Sequence, residues 1–372
     1  MAKSSKSHLH ELSEQGVSVW FDTLSRELLE TGELQRMTVE DAVVGVTSNP
    51  TIFQKALAEG DRYDVQLREV AAHEDDVTEI FFALAVTDIQ GACDVLHPAW
   101  EQTSGIDGYV SLEVDPRLAY DREETFAQAQ RLKALVARDN LYVKIPATKP
   151  GLAAIEDSIA HGTSINVTLI FSLERYAEVV EAYLRGLERL VASGGDPGKV
   201  NSVASFFVSR VDSEADKRLA ALGNTVLQGK LAVANAKLAY QHYLEAFAGP
   251  RWEYLAGKGA RPQRCLWAST STKNPAYPDT LYVADLIGPD TVNTMPLDTI
   301  EAFQDHGVVV AGTLTQGVAD ARQLLADLAA AGVDYADVTA VLEAEGVQKF
   351  EDSFHELLAG IEAKRGALVA AG

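Results

Sequence analysis

Along the chain, short runs rich in aliphatic and β-branched residues alternate with longer stretches whose apolar positions recur at helical spacing. The short runs are Val17–Asp22, Val43–Asn49, Tyr109–Val114, Leu141–Ile145, Ile165–Ile170, Ser202–Val208, Cys265–Ser269 and Thr291–Met295. Amphipathic helical patterns follow nearly all of them, for example Leu173–Val191, Ser213–Leu222 and Ala319–Ala331. Eight such β and α units over 372 residues favour an α/β fold closed as a (β/α)8 TIM barrel over an open doubly wound sheet. The intervals Phe53–Asp107 and Asp212–Arg264 leave room for extra helices, and Ala192–Asn201 and Ala256–Arg264 read as loops. The segment Asp334–Ala370 predicts one or two further helices as a C-terminal extension. Phe350 and Phe354 share one face of it, set to pack over the barrel mouth or on the plain surface. No long Pro/Gly/Ser linker divides the chain, so residues 1–372 are expected to form a single barrel domain.

Strand periodicity sorts these runs further, because alternate side chains point to opposite faces. In Leu141–Ile145 the aliphatic residues take the helix-facing phase, which turns Tyr142 and Lys144 into the barrel. Val110, Leu112 and Val114 face out while Tyr109, Ser111 and Glu113 face in. Ile165, Val167 and Leu169 face out while Asn166 and Thr168 face in. Thr47 and Asn49 continue the interior phase of Gly45, and Asp22 continues that of Trp20. Polar groups therefore gather on the interior phase near the C-terminal ends of several strands, the face on which this architecture builds active sites. Any one of them alone reads as a turn residue or an edge charge; their convergence points to a site.

Composition narrows the chemistry. Lys and Arg total 32 against 54 Asp and Glu, a net charge of −22, which argues against nucleic acid and anionic membrane as partners. A phosphorylated substrate would accordingly need basic residues placed locally. The two cysteines, Cys93 and Cys265, sit in apolar sequence and suggest neither a disulfide framework nor a thiolate metal site. None of the eight histidines forms a ligand pair, so no metal is expected. The polar stretch Met1–His10 lacks a signal-peptide core, and apolar runs such as Ile80–Val86 are too short to span a bilayer; the expected location is the cytoplasm.

An interior lysine backed by aliphatics loses solvation of its ammonium form, and the neutral amine can attack a carbonyl. With Glu113 and Asp22 as the other interior charges, Lys144 suggests imine chemistry, which needs proton transfers at nitrogen and at oxygen. A structural ion pair between Lys144 and one carboxylate is the competing explanation. Thr47, Asn49, Ser111, Asn166 and Thr168 offer hydrogen bonds suited to a polyhydroxylated substrate.

Certain stretches resemble a known family. Val19–Asp22, the run Gly45-Val46-Thr47-Ser48-Asn49-Pro50-Thr51-Ile52-Phe53, Ser111–Pro116, Val143–Thr148 and Asn166–Ser172 are similar to the transaldolases over essentially the whole chain, nearest to the longer actinobacterial type. The Thr-Ser-Asn-Pro-Thr, Glu-Val-Asp-Pro and Lys-Ile-Pro-Ala-Thr segments, in this order and spacing, are together highly specific, though each alone is weak. The resemblance implies that Lys144 is a Schiff-base nucleophile, that Asp22 takes and returns the proton of the donor C4 hydroxyl, and that Glu113 and Thr168 hold a proton-shuttling water. It implies that Asn49 and Asn166 bind enamine hydroxyls. Arg210, Ser205 and Ser269 match the family's phosphate-binding positions. Where many members carry a second phosphate Arg, this chain has Ser271, and Lys273 is the expected substitute. The implied substrates are sugar phosphates: a dihydroxyacetone unit moves from sedoheptulose 7-phosphate or fructose 6-phosphate to glyceraldehyde 3-phosphate or erythrose 4-phosphate. No metal or organic cofactor is called for, because the protonated imine is the electron sink, and a monomer or homodimer is expected.

Two alternatives stay open at the level of sequence. One is a Schiff-base aldolase that releases free dihydroxyacetone, and the other a non-catalytic barrel that only binds sugar phosphates. Three weaker motifs carry nothing: Asn166-Val167-Thr168 as a glycosylation acceptor, Gly194–Lys199 as a phosphate loop one residue short, and Gly257-Lys258-Gly259 without a third glycine.

Overall fold

The structure, a computed structural model, describes residues 7–58 and 60–370. Eight parallel strands close into a barrel in chain order: β1 (Val17–Phe21), β2 (Val43–Val46), β3 (Tyr109–Glu113), β4 (Leu141–Pro146), β5 (Ile165–Ile170), β6 (Ser202–Phe207), β7 (Arg264–Ala268) and β8 (Thr291–Met295). Each lies within a residue or three of its sequence-predicted run. β1 and β2 stop short of Asp22 and Thr47 as regular strands, yet the backbone pairing runs on: Asp22 N donates to Met295 O at 2.9 Å and Thr47 N to Phe21 O at 2.9 Å.

The alternation expected from sequence decides what fills the barrel. Tyr109 and Tyr142 stack with centroids 4.1 Å apart, and Trp20 lies 6.0 Å from Tyr142. A Cβ on Gly45 would fall 2.4 Å from the Trp20 ring, so the interior residue opposite that indole has to be glycine. Below the aromatics the barrel is sealed by a buried ion pair. Arg264 donates to Asp107 at 2.8 Å and to Ser18 Oγ at 2.7 Å, and Trp20 Nε1 donates to Asp107 at 3.2 Å. Arg264 opens β7 rather than ending the loop expected over Ala256–Arg264, because that partner at the barrel floor holds it in the ladder.

Helices cover the outside and account for the long intervals. Between β2 and β3 stand Pro50–Ala58, Asp64–Ala71 and Val77–Gln102. The last has 26 residues, and by length and composition alone it could cross a membrane, a longer segment than the apolar run Ile80–Val86 indicates. In the fold 61% of its most apolar stretch is buried inside the protein, against β3 and its neighbouring helices. Between β6 and β7 stand Ser209–Ala221, Leu231–Ala246 and Gly249–Ala256; the first begins four residues earlier than its apolar pattern, which puts Arg210 in its first turn. Residues 335–370 form one continuous helix rather than two.

The alternation breaks at Leu169. A register shift interrupts the β5–β6 pairing after Val167, and Leu169 adopts φ +59°. Its side chain does not join the outer helix layer as expected but meets the C-terminal helix, where a Cβ on Gly346 would lie 3.1 Å from Leu169 Cδ2. A bulge of this kind re-aims a side chain at the rim of a barrel.

Candidate active site

At the C-terminal ends of the strands lies a cavity of about 660 Å³, counting its open mouth. Asp22, Thr47, Asn49, Lys144, Thr168, Ser205, Arg210, Ser269 and Lys273 all line it. Residues separated by up to some 250 positions are brought together because they sit on, or just past, the C-terminal ends of six strands, β1, β2, β4, β5, β6 and β7.

Lys144 is at the centre. Register places Glu113 directly beside it across the β3–β4 ladder, and Glu113 Oε2 lies 3.4 Å from Lys144 Nζ. Lys144 Nζ also donates to the Ser48 carbonyl at 3.2 Å, and both charged side chains are almost fully buried. Burial pushes the Glu113 carboxyl up from 4.5 to about 7, against the opposing pull of Lys144. Glu113 Oε2 and Thr168 Oγ1 find no hydrogen-bond partner within the protein. A carboxyl raised toward neutrality by burial can both give and take a proton.

Asp22 is oriented by Thr47, whose Oγ1 donates to Asp22 Oδ1 at 2.6 Å and lies 2.8 Å from Thr294 Oγ1 on the closing strand β8. Asn49 spends its amide oxygen on the N–H of Ile52 at 3.0 Å, capping the helix Pro50–Ala58, while the residue still lines the cavity. Ser111 and Asn166, predicted as substrate contacts, are not among the lining residues. They form a chain just inside the barrel: Ser205 Oγ donates to Asn166 Oδ1 at 2.6 Å, and Asn166 Nδ2 donates to Ser111 Oγ at 3.0 Å. Glu113 likewise stands behind the wall, against Lys144 and beside Asn49.

The geometry assembles an amine, two carboxylates and a hydroxyl-rich wall in one buried pocket, and comparison with known proteins decides the family. The profile of the Transaldolase/Fructose-6-phosphate aldolase family matches residues 19–361. The chain belongs to this family. It is 56% identical over 362 residues to a protein named transaldolase of Parafrankia sp. (strain EAN1pec), covering 96% of this chain and 98% of that one. It is 55% identical to the transaldolase of Acidothermus cellulolyticus, with 95% of each chain covered. It is also 53% identical to the transaldolase of Mycobacterium tuberculosis (strain ATCC 25618 / H37Rv), over 94% of this chain and 95% of that one.

One end of the pocket is cationic in an otherwise acidic chain. Arg210 sits in the first turn of Ser209–Ala221, a helix whose N-cap, Val208, provides no side-chain cap. Its guanidinium lies over the Phe207 ring, 4.9 Å from the centroid. Burial holds Arg210 below its ordinary value, with Asp22 and Glu113 opposing. Ser269, in the left-handed region at φ +56°, places its Oγ 2.9 Å from Ser209 Oγ. Lys273 reaches back to Ser271 Oγ at 2.6 Å, so these two positions act as a pair. Lys349 adds to this charge: Arg210, then burial, then Lys273 and Lys55, hold its ammonium below the ordinary lysine value.

Sequence reading missed Thr294, Phe207 and Pro296 on the cavity wall, and Lys349, whose charge is felt alongside those of Arg210 and Lys273. The alternation that found Lys144 would have found Thr294, an interior polar residue of β8. No local signal marks Lys349, whose role depends on where a helix from the far end of the chain comes to rest.

Proposed function

We propose that the chain is a transaldolase that carries a dihydroxyacetone unit on Lys144. In this reading Lys144 attacks the ketone of sedoheptulose 7-phosphate or fructose 6-phosphate, and Glu113 with Thr168 relays protons through water as carbinolamine becomes imine. Asp22 removes the C4 hydroxyl proton as the C3–C4 bond breaks; Asn49 and Ser205 hold the enamine hydroxyls, Ser205 braced from behind by Asn166 and Ser111. Glyceraldehyde 3-phosphate or erythrose 4-phosphate then accepts the three-carbon unit. Arg210, Ser269 and Lys273, with the N-terminus of the Ser209–Ala221 helix, bind the phosphate, Lys273 acting as a point charge where the family often has an arginine.

The observation that carries this reading is the pairing of Lys144 with a carboxyl poised near neutrality in a pocket whose other end is cationic. A barrel that only bound sugars would gain nothing from burying a lysine and a carboxylate together, since desolvating both charges costs several kcal/mol. We further propose that residues 1–372 work as one domain, supported by a hydrophobic cluster that runs from Leu9 to Ile361, and that it acts in the cytoplasm, supported by two buried, unpaired cysteines.

The test is borohydride reduction in the presence of fructose 6-phosphate, with peptide mass spectrometry of wild type and Lys144→Ala. A reduced three-carbon adduct on Lys144, absent from the variant and diminished by erythrose 4-phosphate, is expected. No adduct on any lysine would overturn the reading.

A further inference from the structure

Phe350 stands apart from its surroundings in the cavity. The wall around Lys144 is mainly hydroxyls, amides and charges, yet this ring lies over the lysine with its centroid 5.7 Å from Nζ, and it is 3% exposed. It reaches that position from the last helix, Tyr335–Ala370, not from a strand or a strand-end loop.

The helix is seated so that the ring cannot easily be elsewhere. One turn before Phe350, Gly346 lies close upon the re-aimed Leu169, with room for no more than a tight Cβ contact. One turn after it, Phe354 packs edge-on against Phe81 at 5.4 Å, with the Arg117 guanidinium 5.1 Å from its centroid. Polar ties fasten the same helix along its length: Arg218 to Asp337 at 2.6 Å, Arg175 to Glu343 at 3.2 Å, Thr51 to Ser353 at 2.7 Å and Lys364 to Asp64 at 2.8 Å.

We propose that Phe350 determines whether the three-carbon unit on Lys144 is transferred or lost, by keeping water from the enamine side of the lysine. This rests on the Schiff-base reading above. After cleavage the enamine has two fates. Its C3 carbon can attack the acceptor aldehyde and form a new carbon–carbon bond. Otherwise C3 takes a proton from solvent, and one water adds across the resulting imine; the oxygen leaves on the ketone of free dihydroxyacetone and the nitrogen returns as the lysine amine. Both fates end with one water hydrolysing an imine at Lys144, since the lengthened sugar leaves in the same way. Only the second first takes a solvent proton at C3, so an apolar cover over the enamine slows that fate while leaving the aldehyde's route from the cationic end open. The ring face also favours the cationic imine over which it lies, further holding the covalent state.

The experiment is a partition measurement with fructose 6-phosphate on the full chain: free dihydroxyacetone released, relative to transfer to erythrose 4-phosphate, for wild type and for Phe350→Leu, Phe350→Val and Phe350→Ala. The ratio is expected to climb as the side chain shrinks, by about 10-fold at alanine, equivalent to about 1.4 kcal/mol of differential barrier. The Leu variant, nearest in volume, keeps the fold and stays near wild type; the Leu and Val values decide the matter if the Ala protein does not fold. Release and transfer falling together at a constant ratio would overturn the proposal and leave Phe350 as packing alone. Failure of the Schiff-base reading itself is seen separately, as wild type that yields no borohydride adduct.

Discussion

Glu113 and Lys144 are Cα partners across the β3–β4 ladder, and their charged ends meet 3.4 Å apart with almost no exposure to solvent. In a parallel ladder that neighbourhood is set by register, so the two groups are held at one depth by backbone hydrogen bonds and not by a flexible loop. Burial raises the carboxyl to about 7 even with an amine beside it, a value that suits the acid–base role proposed for it.

From this pairing, Glu113→Gln should slow imine formation. The rate at which the borohydride-trappable adduct appears should fall by about 10²-fold, the usual contribution of a positioned acid–base group. Thr168→Val should slow the same step. Normal adduct formation with a slow carbon–carbon step would mean that Glu113 serves the wrong stage of the reaction.

Arg210→Ala removes a charge from the end of the pocket remote from Lys144. The KM for fructose 6-phosphate should rise about 10- to 100-fold, in line with lost hydrogen bonds to a charged group, while kcat changes less. Fructose, which lacks the phosphate, should show little change. Lys273→Ala, at an exposed position, should give a smaller effect that fades with added salt. Equal losses on fructose and its phosphate ester would place the phosphate elsewhere.

Asp212 lies outside the pocket and supports the helices after β6. It accepts from Ala232 N at 2.7 Å and from the Tyr282 hydroxyl at 2.7 Å, and burial pushes its carboxyl up from 3.8 to about 6. The folded state therefore holds a proton that the unfolded chain has released between those values. Stability drops as pH rises through that window, and the cost is fully present above it. Asp212→Asn can keep both hydrogen bonds without the charge, so its Tm should gain on wild type between about pH 4 and about pH 7 and then level off. A Tm difference independent of pH would show that the carboxyl is not strained by burial.

Gly45→Ala places a methyl group 2.4 Å from the Trp20 ring inside a barrel with no slack. Overpacking of this kind costs about 1–3 kcal/mol or more, seen as a lower denaturant midpoint. Pairing it with Trp20→Leu should recover part of the loss, since the clash and not the backbone is the cause; recovery of nothing would point to the backbone instead.

Much of this protein can be read along the chain because its information is local. Period-two alternation within each strand separated Lys144, Glu113, Asn166 and Thr168 from their aliphatic neighbours. The repeated β then α pattern predicted a closed barrel, and closure alone then implied a shared face for Asp22, Asn49 and Lys144. What tertiary structure decided is non-local. Ring closure sets β8 against β1 and so puts Thr294 beside Thr47; Leu169 leaves the alternation because a bulge and the C-terminal helix together re-aim it. Depth along the barrel axis, which no strand pattern reveals, joins Ser111 and Asn166 in a hydrogen-bonded chain behind Ser205. The ring over Lys144 and the ammonium of Lys349 come from a helix some two hundred residues further on, and where that helix rests depends on packing at Gly346 and Phe354 rather than on its own amphipathic pattern. Local alternation is written residue by residue, whereas the position of one element upon another is the outcome of all their contacts at once.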